Sequence, residues 1–336
     1  DMPTAITQIA GRKVAAEKIP SWWEIEKIWY PKHLSLEQCS SEITARYKAR
    51  LLQGDSLTDL TGGFGIDCSF LATGFKSATY VERQEELCEI AAHNFPVLNL
   101  NHINIKNEDG VTYLQVMSPV DSLFLDPARR NEHGGKTVAI SDCEPNVAEL
   151  EELLLQKANR VMIKLSPMLD LSLALKELKQ TQEVHILSVN NECKELLILL
   201  GQTSPAEISI HCVNLFTKGT QKEQHFVFTR EQEQCSECTY TDSLETYLYE
   251  PNASLLKAGA FRSIAAAYPV RKLHPNSHLY TSDTFIENFP GRIFRIVNQC
   301  SFNKKEVKEN LADLKKANVT VRNFPATVAE LRKRIH

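Results

Sequence analysis

Two glycines two residues apart sit in Asp59-Leu60-Thr61-Gly62-Gly63-Phe64-Gly65-Ile66-Asp67, between a short apolar run at 56–60 and an amphipathic stretch at 67–73. A Gly-x-Gly turn between a strand and a helix lets a ligand lie against bare backbone. A dinucleotide fingerprint would carry a third glycine at position 68, where this chain has Cys68. Asp59 and Asp67 would also repel a pyrophosphate, although they suit an ammonium group. Glu82 ends the next apolar run, 19 residues beyond Gly63, where a carboxylate is placed to accept both hydroxyls of a ribose. Asn107-Glu108-Asp109-Gly110 follows the third run, and its acid and backbone can hold an adenine amine. Asp59, Thr61, Gly63, Gly65, Asp67, Glu82 and Asp109 are therefore the expected contacts of a ligand with ribose, adenine and ammonium but no phosphate. S-adenosylmethionine is that ligand. The competing readings are a nicotinamide-binding domain and a sheet that binds nothing.

A second set of residues follows the fourth and fifth apolar runs. Asp126-Pro127-Ala128-Arg129-Arg130 would face the bound ligand, because ligands of open α/β sheets sit at the carboxyl ends of the strands. Methyl transfer asks mainly that an acceptor lone pair be placed against the methyl group and any released proton be accepted. Asp126 and the Pro127 carbonyl can orient an amine or ring nitrogen, and Arg129 with Arg130 can clamp a phosphate. Lys164, in Lys164-Leu165-Ser166-Pro167-Met168-Leu169-Asp170, reaches the same cleft or pairs with Asp126. Ser166 reads as the N-cap of the next helix, with Pro167 at its first position. No cysteine follows this run, which argues against activation of a base by a nucleophilic thiol.

The elements that must position these residues alternate strand and helix. Strands are expected at 56–60, 78–81, 103–105, 122–125, 160–165 and 184–189, and helices at 67–73, 84–95, 111–117, 146–157 and 171–179. That alternation implies a doubly wound parallel sheet, a Rossmann-like α/β fold, across residues 51–230. A helix is expected at 192–200, then an antiparallel edge hairpin from 207–215 and 224–230. Residues 1–50 read as a helical segment, with helices at 8–18 and 41–52 and an aromatic cluster of Trp22, Trp23, Trp29 and Tyr30 packing it onto the next domain. Polar residues 231–242 read as a linker. Residues 243–336 form a small C-terminal α/β unit whose end reads strand 292–297, helix 305–316, strand 318–322 and helix 326–335. Met2 stands behind Asp1, and that last helix stops at His336 without a capping glycine, so the natural chain is expected to extend beyond both ends.

The chain has 336 residues and a net charge of −4, but residues 291–336 hold 11 Lys/Arg against 4 Asp/Glu. That +7 unit on a remainder of −11 is the expected footprint of an appendage that meets phosphate, weighed against a pair of solvated helix faces. Nine scattered cysteines argue against a disulfide framework and for reduced thiols in the cytoplasm. Cys235-Ser236-Glu237-Cys238 lacks the two further ligands of a zinc site, and His274-Pro275-Asn276-Ser277-His278 reads as a turn, so no metal site is expected. No apolar run approaches the ~18–20 residues of a membrane span.

The glycine turn, the Asp126-Pro127-Ala128-Arg129-Arg130 segment and the Lys164–Asp170 segment together resemble a bacterial family of class I methyltransferase-like proteins with a C-terminal THUMP-like domain. Gln38-Cys39-Ser40-Ser41-Glu42 through Tyr47-Lys48-Ala49, Tyr249-Glu250-Pro251-Asn252-Ala253, 273–278 and 318–325 are similar to other stretches of that family. The resemblance implies S-adenosylmethionine as cofactor, Gly63, Gly65 and Glu82 as its contacts, and Asp126 as the catalytic-loop acid. It implies RNA, rRNA or tRNA, as the substrate class, because THUMP domains are RNA-binding modules. Amino-methylating enzymes usually stack an aromatic residue on the target base at the position that Arg129 holds here, and carry proline where this chain has Ala128. The expectation is an RNA methyltransferase acting at a base nitrogen. The alternatives are a non-catalytic cofactor-binding RNA-interaction protein and a small-molecule methyltransferase.

Overall fold

The computed structural model describes residues 2–129 and 139–335. Four helices precede the sheet, α1 (Met2–Lys18), α2 (Pro20–Trp23), α3 (His33–Gln38) and α4 (Glu42–Ala49). The main unit then alternates β1 (Ser56–Asp59), α5 (Ile66–Ala72), β2 (Ser77–Glu82), α6 (Glu85–Val97), β3 (Ile103–Asn107), α7 (Gly110–Val116), β4 (Val120–Leu125), α8 (Val147–Lys157), β5 (Ala158–Leu165), α9 (Leu171–Glu177) and β6 (Thr181–Val189). It closes with β7 (Glu192–Gly201), β8 (Ser209–Leu215) and β9 (Glu223–Thr229).

These strands make one nine-stranded sheet in the order β9-β8-β6-β7-β5-β4-β1-β2-β3. All run parallel except β7 and β9, which are antiparallel to their neighbours. The fold is the expected Rossmann-like α/β fold, and β8–β9 is the expected antiparallel edge hairpin. Alternation along each strand sorts side chains to two faces. Val161, Ile163 and Leu165 of β5 enter one core with Leu123 and Leu125, while Met162 faces the other with Phe124, Tyr80 and Leu197.

Residues 192–201 are a strand, not the expected helix. Leu, Glu and Lys favour helices, but this run is buried on both faces from Glu195 onward, where a central strand and a buried helix share one apolar pattern. The local signal is Asn190-Asn191, both at positive φ (49° and 66°), which joins β6 to β7 in a two-residue hairpin.

The C-terminal unit is a four-stranded antiparallel sheet, β11-β12-β10-β13, from β10 (Tyr247–Pro251), β11 (Arg271–His274), β12 (Ser277–Ser282) and β13 (Gly291–Arg295). Helix α10 (Arg230–Cys235) occupies part of the expected linker. It starts at a capping box of Thr229 and Gln232. Helices α11 (Ala253–Ala258) and α12 (Phe261–Ala267) follow β10, and α13 (Lys304–Leu311) and α14 (Val328–Ile335) follow β13. No strand forms at 318–322: Val319 and Val321 are its only apolar residues, and Arg322 instead donates to Glu250. Tyr249, Leu255 and Tyr280 share the core of Val161 and Ile198, so the two units are packed as one body. The His274–His278 segment is the turn of the β11–β12 hairpin. No helix among the described residues is long and apolar enough to cross a membrane.

Candidate active site

The glycine turn leaves β1 under tight constraint. Gly63 and Gly65 hold φ of +54° and +86°, which side chains rarely adopt. A Cβ on Gly63 would meet nothing nearer than 3.8 Å, so its backbone faces open space. Gly63 N–H donates to Glu82 Oε2 at 2.9 Å, and Gln84 N–H to Glu82 Oε1 at 2.8 Å. The carboxylate that ends β2 therefore pins the turn after β1, and each oxygen keeps a further lone pair. The N-terminal segment backs the turn. Trp22 stands edge-on to Phe64 at 5.1 Å, and Tyr30 is tilted against the same ring at 6.2 Å. Trp29 stacks on His93 at 3.9 Å, while Trp23 is exposed and is not part of that packing.

Asp59 ends β1 fully buried. Its Oδ1 accepts from Thr61 N–H at 2.9 Å, and its Oδ2 is buried without a partner. Burial pushes this carboxyl well above its usual range, and Asp67, Asp126 and Glu82 add to the shift against the Thr61 hydrogen bond. Asp109 lies apart, at the exposed start of α7, where it caps Val111 and Thr112 N–H at 3.0 Å. Its neighbour Gly110 sits against β1, and a Cβ there would meet Leu60 O at 2.1 Å.

Asp67 faces inward from α5 and is already engaged. Lys48 Nζ lies 2.7 Å from Asp67 Oδ1 and 2.8 Å from Glu195 Oε2, and Ser40 Oγ donates to Asp67 Oδ2 at 2.7 Å. Lys164 Nζ is 3.8 Å from the same Oδ2 and 2.5 Å from Asp126 Oδ2. Burial would raise the Asp67 carboxyl, but Lys48 and Lys164 outweigh it and hold it below its usual range. Burial works against the Lys164 ammonium too, yet Asp126, Asp67 and Glu195 hold its pKa above the ordinary lysine value. Burial pushes the Asp126 carboxyl up, against the pull of Lys164. Asp126 N–H donates to Thr61 Oγ1 at 2.6 Å, which ties the end of β4 to the turn after β1.

Asp59, Thr61, Gly63, Gly65, Asp67, Glu82, Asp126 and Lys164 thus converge on the carboxyl edge of the sheet. Arg130 lies outside the described residues, as does the side chain of Arg129, whose backbone pairs with Cys143. Helix α9 is capped by Asp170, which accepts from Leu173 N–H at 2.9 Å, rather than by Ser166. Ser166 instead opens the turn before that helix, where Leu169 N–H donates to its carbonyl at 3.1 Å. Ser40, Lys48 and Glu195 are the members of the network that motif reading misses. For Glu195 the signal is a carboxylate at the head of five consecutive apolar residues, a position that requires a buried partner.

Family models match the C-terminal residues, a ferredoxin-like domain at 247–290 and a THUMP domain-like unit at 291–336. The crystal structure of a "putative methyltransferase" from Porphyromonas gingivalis W83 is 37% identical over 99% of this chain and 83% of that one, with a TM-score of 0.89. A "putative methyltransferase" from Streptococcus mutans, SMU.1697c in complex with SAH, shares 14% identity over 48% of this chain and 96% of that one, with a TM-score of 0.34. Likeness as low as this second one carries no argument about the chain. No curated protein sequence matches it significantly.

Proposed function

The chain belongs to the bacterial family of class I S-adenosylmethionine-dependent methyltransferase-like proteins with a C-terminal THUMP-like domain, and from that premise we propose that it methylates a base nitrogen in RNA, rRNA or tRNA. The observation that carries the reading is the carboxyl edge of the sheet. There an open glycine turn, an unpartnered buried Asp59 oxygen and the two-sided acceptor Glu82 stand beside Asp126. The cofactor supplies a methyl group on a cationic sulfonium, open to in-line attack by a lone pair.

The chain's own residues fit that ligand and divide the work. Asp59 Oδ2 suits the ammonium, which would satisfy an otherwise costly buried acceptor. The free lone pairs of Glu82 suit the ribose hydroxyls, and the bare backbone at Gly63 admits close approach. Asp67 is committed to Lys48 and Ser40, so its part is to hold α5 and the turn in register. Asp109 fixes the start of α7, and the backbone there suits the adenine amine. Asp126 orients the acceptor amine and takes its proton, with Lys164 fixing the carboxylate. Arg129 supplies a guanidinium for an acceptor phosphate.

The basic unit supports RNA as substrate. Arg292 and Arg322 are committed to Glu250, but Lys304, Lys305, Lys308, Lys315, Lys316, Arg332 and Lys333 are exposed and form no ion pair among the described residues. Nine cysteines with no disulfide among them fit a reducing compartment, the cytoplasm.

The test is transfer of a labelled methyl group to RNA. Asp126→Ala should abolish transfer and leave cofactor affinity nearly unchanged, since its carboxylate would act in the chemical step. Transfer at the wild-type rate by that variant would remove Asp126 from the mechanism. Arg129 favours a second reading, a cofactor-binding RNA-interaction protein without catalysis. Cofactor and RNA binding without any transfer would select it.

A further inference from the structure

A second cluster of chemically active side chains lies on the face of the main sheet that α4 covers. Glu183 and His185 are two residues apart on β6 and so share a face. His211 on β8 is the register partner of His185. His225 on β9 pairs with Val213, two residues along β8 from His211, which puts it on the same face. The His185 and His211 rings stack at 4.2 Å, and those of His211 and His225 at 5.3 Å. With Tyr47 and Arg160 they line a cavity of about 410 Å³. Glu183 and Arg160 sit near the starts of β6 and β5, so the cluster lies toward the amino ends of the parallel strands. The site proposed for methyl transfer occupies their carboxyl ends and uses none of these groups.

We propose that Glu183, His185 and His211 form a binding site for a divalent late transition metal, with Zn²⁺ as the best-suited ion. One donor atom from each lies within 4.8 Å of the others. Glu183 Oε2 and His185 Nε2 are 3.2 Å apart. Two ligands each ~2.1 Å from a tetrahedral ion would be separated by about 3.4 Å, so the spacing of this pair suits a shared ion. The stacked His185 and His211 rings, 14° from parallel, must turn for their nitrogens to converge on it. Two imidazoles and one carboxylate suit zinc and its neighbours, whereas magnesium and calcium prefer oxygen alone.

Each donor is also oriented from behind. Tyr47 Oη lies 2.8 Å from His185 Nδ1, which leaves Nε2 for the ion. Arg160 Nη2 donates to Glu183 Oε1 at 3.2 Å, which leaves Oε2. His225 Nε2 lies 3.1 Å from His211 Nδ1 and fixes that ring. Such outer partners set the tautomer and direction of metal-binding side chains. Three protein ligands leave a fourth position for water. The donors come from two strands that the sheet sets side by side, 26 residues apart between His185 and His211, so no short ligand spacing marks the site in the sequence.

The test is calorimetric titration of the full, chelator-treated chain with Zn²⁺ alone, followed by the absorption spectrum with Co²⁺ alone. The expected result is one equivalent of Zn²⁺ per chain, bound at least about tenfold more weakly by Glu183→Gln and His211→Asn, both partly exposed positions that should fold. Tyr47→Phe should weaken it by about tenfold, and Cys235→Ser with Cys238→Ser should change nothing. Circular dichroism confirms that each variant is folded. The proposal is overturned by a wild-type chain that binds no Zn²⁺, since Glu183 and His185 then share only a hydrogen bond. It is equally overturned by folded E183Q and H211N variants with wild-type affinity, or by a Co²⁺ spectrum with thiolate charge transfer that the cysteine variants abolish.

Discussion

The carboxyl edge of the main sheet and the basic C-terminal unit both depend on charge, but they use it under opposite conditions. At the sheet edge Lys48 is completely buried and Lys164 nearly so, and each lies between carboxylates. On α13 and α14 Lys304, Lys305, Lys308, Arg332 and Lys333 stand in water, and none forms an ion pair among the described residues. Desolvated charges interact strongly with their neighbours, so removing one strands the others. Solvated charges are screened and individually weak, and they act through their sum on a distant polyanion. The first region should therefore fail residue by residue and the second only in aggregate.

The sharpest break of that contrast is Lys48→Met. It removes the cation shared by Asp67 and Glu195 and leaves two carboxylates buried, at an expected cost of about 3–5 kcal/mol in stability. Urea denaturation measures it. A loss no larger than that of an exposed lysine such as Lys315 would mean that the sheet edge is as wet as the C-terminal unit.

Asp59→Asn should act in the reverse direction on the free chain. The folded carboxyl titrates above its unfolded counterpart, so between the two values the folded state holds the extra proton. Stability contributed by this group therefore falls as pH rises through that window, beginning near the ordinary carboxylate range of about 4. The amide still accepts from Thr61 N–H and has no charge to bury, so the variant should melt higher at neutral pH and lose part of that pH slope. It should also bind S-adenosylmethionine more weakly, because the ammonium loses its carboxylate. A variant that is less stable and binds normally would assign Asp59 a purely structural role.

How much of the molecule is legible in the sequence follows the same divide. The glycine turn, Glu82 and Asp126 are local signals: each is a residue type at the end of a strand, and the alternation of strands and helices places all of them on one edge. Ser40 and Lys48 enter the edge from a helical segment that precedes the sheet, and Glu195 enters from β7, a strand whose Leu and Glu content imitates a helix. Their partnership is long-range, and no spacing rule encodes it. Asp67 shows the limit from the other side. A carboxylate in the expected place for a ligand contact is engaged by the chain's own lysine. In the C-terminal unit the net charge is readable, whereas the commitment of Arg292 and Arg322 to Glu250 requires the fold, as does the absence of a strand at 318–322.

The smallest effect per residue is expected in the basic unit. Replacing Lys315, Lys316, Arg332 and Lys333 with glutamine should flatten the salt dependence of RNA binding by about 0.7 for each phosphate no longer neutralised, up to about 3 in all. Cofactor binding and stability should be unchanged. Equal salt slopes for the two proteins would mean that these side chains are solvated helix faces and would remove the charge argument for RNA.

Whether the turn at Gly63 and the carboxylate of Glu82 hold S-adenosylmethionine is decided by calorimetric titration of the wild type and Glu82→Ala. Two charge-assisted hydrogen bonds to the ribose, each worth about 1.5–3 kcal/mol, would disappear with that side chain. The predicted result is one equivalent bound by the wild type and an affinity at least about a hundredfold lower in the variant. Undiminished affinity in Glu82→Ala, or tighter binding of a nicotinamide dinucleotide by the wild type, would contradict it.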